Sequence, residues 1–164
     1  MKNVINEGKA RMRRADKEIT DRRLIDKILT EAEVIRLAMV DEGNPYLVAM
    51  NYAYVDGCLY MHSAKEGRKI NILRKNHNIA FQTDTGVELV LKEEACSCGT
   101  KYLSIFGTGK VSFVEDEAEK VKALDAIMTK HTGRTGFEYP GKVLEKTLVI
   151  KVEIESATGK KSGY

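Results

Sequence analysis

The segment PYLVAMNYAYVDGCLYMHSAKEGRKINILRKN, residues 45–76, runs through two β-type stretches, a turn and a helix in immediate succession. Residues 45–55 are a long β-type run, Asp56-Gly57 follows, and residues 58–63 resume the pattern. Asp-Gly between two apolar runs is among the strongest short hairpin signals, because both residues tolerate the positive φ of a tight turn. The return strand breaks at His62-Ser63. Residues 66–76 then place Ile70 and Leu73 on one face of a short helix that opens with Gly67-Arg68-Lys69. A helix N-terminus ordinarily favours acids. Two cations there, beside a hydroxyl and a glycine, match what a phosphate monoester needs: backbone N–H groups, a hydroxyl donor and positive charge. A solvated basic helix face is the competing explanation of the same residues.

The flanking sequence extends this pattern. Residues 1–19 are polar and basic and read as an N-terminal extension at the surface, leaving residues 20–164 as a single domain. Thr20 is a suitable N-cap for an amphipathic helix over 21–32, with Leu24, Ile25, Ile28 and Leu29 at helical spacing. Residues 34–41 read as a strand and 42–44 as a turn, so the first three strands form an antiparallel meander. Further strands are expected at 78–84, 87–93, 101–115 and 147–157, with an amphipathic helix over 116–133. About seven strands in local hairpins, with two or three helices between them, describe a mainly β chain with helices: a closed or half-closed antiparallel barrel with helical lids. The strand–helix alternation of a doubly wound nucleotide fold is missing.

A chain of 164 residues needs no disulfide or metal to hold a core. Its composition, 43% hydrophobic and 31% charged, is globular, and a net charge of +3 is too mild to argue for nucleic acid. No run reaches the roughly 18 apolar residues of a membrane helix. The first residues lack a signal-peptide core, and the three cysteines form no secreted framework, so the expectation is a cytoplasmic protein without membrane or nucleic-acid partners.

Other motifs carry less. GTGK, residues 107–110, has Ser104 and Val111 where a P-loop needs Gly and Ser or Thr, so it reads as strand. Cys96 and Cys98 lack partners at zinc-site spacing, and no metal is expected. Tyr46, Tyr52, Tyr54 and Tyr60 read as core or interface residues.

With these pieces in order, the chain resembles the flavin-binding split-barrel proteins related to pyridoxamine-phosphate oxidase, most of all their 5-nitroimidazole-resistance (Nim-type) branch. The matching pieces are MRR (12–14), the central segment 45–76, YLSIFGTGKV (102–111) and VIKVEIESATGKKSG (149–163). The resemblance implies an antiparallel split barrel that binds FMN between the subunits of a homodimer. It places His62 and Ser63 beside the cofactor, Arg68 and Lys69 on its phosphate, and the backbone of Val48, Ala49, Met50 and Asn51 along the ring edge. Tyr102 and Ser104 match further cofactor contacts. His62 also matches the histidine that approaches substrate, and an imidazole can move a proton near neutral pH. Ala49 stands where many relatives carry proline. The extra arginines that pyridoxamine-phosphate oxidases use have no counterpart, so the resemblance does not extend to vitamin B6 oxidation. The implied function is an FMN-dependent oxidoreductase that takes electrons from transiently bound NADH or NADPH and reduces a small aromatic acceptor, a nitro compound or quinone. The alternative is a flavin or haem carrier on the same barrel, with His62 or His131 as an axial ligand.

Overall fold

A computed structural model describes residues 12–164. Two hairpins set its architecture. Strands β2 (Val34–Asp41) and β3 (Asn44–Asn51) pair across Glu42-Gly43, both at positive φ. Strands β4 (Ala53–Val55) and β5 (Cys58–Ala64) pair across Asp56-Gly57, also both at positive φ, as the Asp-Gly signal requires.

The chain between the hairpins corrects the expected meander. The run 45–55 is not one strand. It breaks at Tyr52, and its halves join opposite ends of the sheet, whose order, with β6 (Asn78–Val90), β7 (Gly99–Val114) and β8 (Thr147–Ser162), is β3-β2-β6-β7-β8-β5-β4. The antiparallel sheet curls until its two ends approach one another at Tyr52, yet no ladder joins β3 to β4 or β5. The barrel is therefore split, and β3 keeps one edge that no strand among the described residues pairs with. Tyr52 is wholly buried at this crossing, and its hydroxyl donates to the Leu29 carbonyl at 2.6 Å.

Strand β6 (Asn78–Val90) spans what the pattern divides into two strands, because a bulge between Thr85 and Glu88 absorbs the break. β7 (Gly99–Val114) and β8 (Thr147–Ser162) complete the wall. GTGK lies inside β7, where a Cβ added at Gly107 would run into the Phe81 ring and the Ser156 carbonyl. Close approach, not phosphate binding, accounts for that glycine.

The helices follow their caps. α1 (Arg22–Glu31) starts at Asp21, whose carboxylate accepts the Arg23 N–H, so the cap lies one residue beyond the expected Thr20. α2 is Arg68–Lys75, and α3 is Glu117–Thr132 with Asp116 as cap and Gly133 closing it in the left-handed region. A fourth helix, α4 (Gly141–Lys146), was not foreseen; its six residues are too short to show a period. Part of the expected extension belongs to the fold: β1 (Glu18–Ile19) pairs with β8 and Ile19 is buried. Residues 1–11 of that extension lie outside the described residues.

The main core fills the barrel. Ile35, Leu37, Met61, Phe81, Ile105 and Ile150 point inward and meet Ile28 and Leu29 of α1 and Ile70 and Leu73 of α2. A smaller cluster lies on the outside, where Ala123 and Leu124 of α3 and Leu144 of α4 cover Val114 and Val149. Neighbouring Val149 and Ile150 are thus both buried, and β8 loses its simple alternation there. No helix among the described residues is long and apolar enough to cross a membrane.

Candidate functional site

Gly67 creates the corner between β5 and α2. Its φ of 122° is one that residues with a Cβ rarely adopt, and an added Cβ would meet nothing within 4 Å, so the need is conformational. No side chain among the described residues caps α2, in contrast to the aspartates on α1 and α3. Its first-turn N–H groups are left without an internal acceptor, as at any helix start, but here without a capping oxygen either.

The first two residues of the helix fare differently. The Arg68 guanidinium lies over the Tyr46 ring, 4.5 Å from its centroid, and its Nε donates to the Asp41 carboxylate at 3.1 Å. Lys69 reaches the barrel rim, where its ammonium contacts the Met50 sulfur at 3.5 Å. Burial lowers its pKa, and no carboxylate among the described residues pairs with it. A half-buried cation with only a thioether beside it among the described residues is an arrangement that an anion would relieve.

Register divides the remaining expected residues between two faces. Tyr46, Val48 and Met50 of β3 face the core, while Ala49 and Asn51 face outward and are exposed. Tyr102 and Ser104 lie on the half-buried part of β7, with Ser104 donating to the Lys160 carbonyl at 3.4 Å and the Lys160 ammonium 5.9 Å from the Tyr102 ring. The ladders carry this outer face from Ala49 through Arg36 and Gln82 to Phe106. There Arg36 donates to Gln82 at 3.1 Å and to Asp84 at 3.0 Å, a network the sequence did not reveal. His62 is exposed on β5 opposite Val149, and Ser63 is half-buried opposite Leu148.

The structure therefore gathers Lys69, Arg68 and β3 at one rim, and spreads Ala49, Asn51, Tyr102 and Ser104 over the adjoining outer face. They do not line one enclosed pocket within a single chain. A cleft of about 630 Å³ at the other end of α2, lined by Lys75, His77, Lys110 and Phe113, holds none of them. Asp41 and Tyr46, which hold Arg68, were also missed; the alternation of β3 could have put Tyr46 with Val48 and Met50.

A split antiparallel barrel with an uncapped, cationic strand–helix corner beside a free strand edge defines the class. A profile of the pyridoxamine 5′-phosphate oxidase family matches residues 21–161, and the chain belongs to that family. It is similar to the crystal structure of a candidate 5-nitroimidazole antibiotic resistance protein from Bacteroides thetaiotaomicron, with 37% identity and a TM-score of 0.79, over 88% of this chain and 86% of that one. A FAD-binding protein from Mesorhizobium loti is 26% identical, with a TM-score of 0.64 over 87% of this chain and 96% of that one. The FAD and heme binding protein from Mycobacterium smegmatis shares the fold at 20% identity, with a TM-score of 0.78 over 90% and 74% of the two chains. No curated protein matches the sequence.

Proposed function

We propose that this protein is an FMN-dependent oxidoreductase that acts as a homodimer in the cytoplasm and reduces a small aromatic acceptor with electrons from NADH or NADPH. The observation that carries the proposal is Lys69: a half-buried ammonium that, among the described residues, has no carboxylate partner, in the first turn of a helix they leave uncapped, at the rim beside the β3 edge they leave unpaired. Lys69, Arg68 and Ser63 would hold the phosphate, with the α2 N–H groups adding donors. Backbone groups of Val48, Ala49, Met50 and Asn51 on the free edge would run along the ring system. Bound FMN would accept a hydride from the nicotinamide and pass electrons to the acceptor.

Ala49, Asn51, Tyr102 and Ser104 sit on the outer face, where a second copy and the cofactor between the two would meet them. That face exposes Leu47 by 61% and Phe106 by 56%, two apolar side chains that a second copy would cover. The similarity to the Bacteroides protein supports a nitroaromatic acceptor, and the Mesorhizobium protein supports a flavin. His62, exposed at the end of β5, is the proposed proton donor or substrate-positioning group.

The test is steady-state oxidation of NADH and NADPH by the FMN-loaded protein with a nitroimidazole or quinone present. Turnover that falls in His62→Ala while FMN stays bound supports the assignment. Unchanged kinetics in that variant remove the role of His62, and bound flavin without any turnover makes the protein a carrier.

A further inference from the structure

We infer that Asp41 and Tyr46 are positioning residues for the phosphate site, holding Arg68 so that the two terminal nitrogens of its guanidinium face an incoming phosphate monoester. The inference rests on the FMN reading above. Arg68 is attached from two sides: its Nε donates to the Asp41 carboxylate at 3.1 Å, and its guanidinium carbon lies over the Tyr46 ring, 4.5 Å from the centroid. The Asp41 contact uses Nε alone. Neither Nη makes a hydrogen bond to any described residue, and the Arg68 side chain is 58% exposed. A guanidinium has five donors in a rigid fork. Fixing the inner one on a carboxylate, with an aromatic ring beneath the guanidinium carbon, leaves the outer pair unspent.

The two sides of the clamp come from β2 and β3 near their shared turn. A second ion pair, Lys75 to Glu42 at 3.1 Å, ties the other end of α2 to that turn. Arg68 and Lys75 are seven residues apart, two helical turns, so one stripe of α2 docks on the hairpin. Lys69, next to Arg68, turns instead towards Met50 on β3. The division of labour follows: Lys69 supplies unpaired charge, and Arg68 supplies a pre-aimed fork. A carboxylate near an anion site also repels the anion, so Asp41 is worth having only if ordering Arg68 outweighs that repulsion. The two effects have opposite signs in different substitutions, which makes the inference testable.

The experiment compares dissociation constants for FMN and for riboflavin, which lacks the phosphate, in wild type, Asp41→Ala, Asp41→Asn, Arg68→Ala and the double variant Asp41→Ala with Arg68→Ala. Freeing a long side chain weakens binding by about 2- to 10-fold. The inference expects that loss for FMN in Asp41→Ala, with riboflavin unchanged. It expects Asp41→Asn to bind FMN as well as wild type or better, because the amide oxygen still accepts from Nε without the negative charge. With Arg68 absent, Asp41→Ala no longer weakens FMN binding, because only the repulsion between carboxylate and phosphate is left to remove. Unchanged or tighter FMN binding by Asp41→Ala overturns the inference, as does an equal loss of riboflavin or a loss that persists without Arg68. Failure of the wild type to bind FMN would remove the functional reading and this inference together. A wild type that binds FMN with Asp41→Ala unaffected removes the inference alone.

Discussion

Replacing Lys69 by methionine isolates the charge on which the phosphate site depends. The methionine keeps an unbranched apolar stem against Met50 and removes the ammonium. Between unit charges about 4 Å apart near a protein surface, attraction is roughly 4 kcal/mol before the cost of stripping water. The ammonium has already lost part of its hydration, since burial lowers its pKa, so less remains to be surrendered when the phosphate arrives. A net charge-assisted hydrogen bond of about 1.5–3 kcal/mol is the fitting scale, or about 10- to 100-fold in FMN affinity. Titration of the cofactor-free protein, followed by quenching of flavin fluorescence, reads this directly. Riboflavin provides the control and should bind both proteins alike. Thermal stability without ligand should hold or rise, because the variant no longer buries an unpaired cation. FMN affinity within about twofold of wild type, or an equal loss of riboflavin, would refute the reasoning.

Three further perturbations probe the frame around the site. Lys130 lies 3.5 Å from the Tyr52 ring centroid and donates to the Leu29 carbonyl at 3.4 Å, and burial lowers its pKa to about 8. The folded state therefore disfavours its protonated form below pH 8, and that penalty fades as pH rises towards the ordinary lysine value of 10.5. Stability should rise over this window by about 1–2 kcal/mol after allowing for partial exposure, and Lys130→Met should flatten the rise in denaturant melts taken across it. Gly107→Ala should cost about 1–3 kcal/mol in the same assay, because its methyl group meets Phe81 and the Ser156 carbonyl; an unchanged midpoint would contradict the packing given for β7. Leu47→Glu combined with Phe106→Glu should turn a dimer into a monomer by light scattering, and a wild type that is already monomeric would remove the shared-interface arrangement.

The local elements were legible where backbone chemistry dictates them. Glu42-Gly43 and Asp56-Gly57 mark the two hairpins, and Gly67 and Gly133 mark helix ends. The crossing at Tyr52 was not legible, because residues 45–55 hold no internal glycine and, apart from Asn51, are apolar or aromatic after the opening proline. Which strand each half joins is decided by the whole sheet and by the buried bond from Tyr52 to Leu29. The cationic corner was visible from Gly67, Arg68 and Lys69 in sequence. What distinguishes those two cations was not: Asp41 lies 27 positions from Arg68, and only tertiary packing brings them together. Placement on a face had to wait for register as well, since Val48 and Ala49, read together in sequence, point to opposite sides of β3.

The most direct measurement is the absorption spectrum of the protein purified without added cofactor, with any bound nucleotide released and identified. The account predicts a yellow protein with a flavin spectrum that releases FMN, one per chain, and takes it up again after removal. A haem spectrum, or a colourless protein that ignores added FMN, would contradict it.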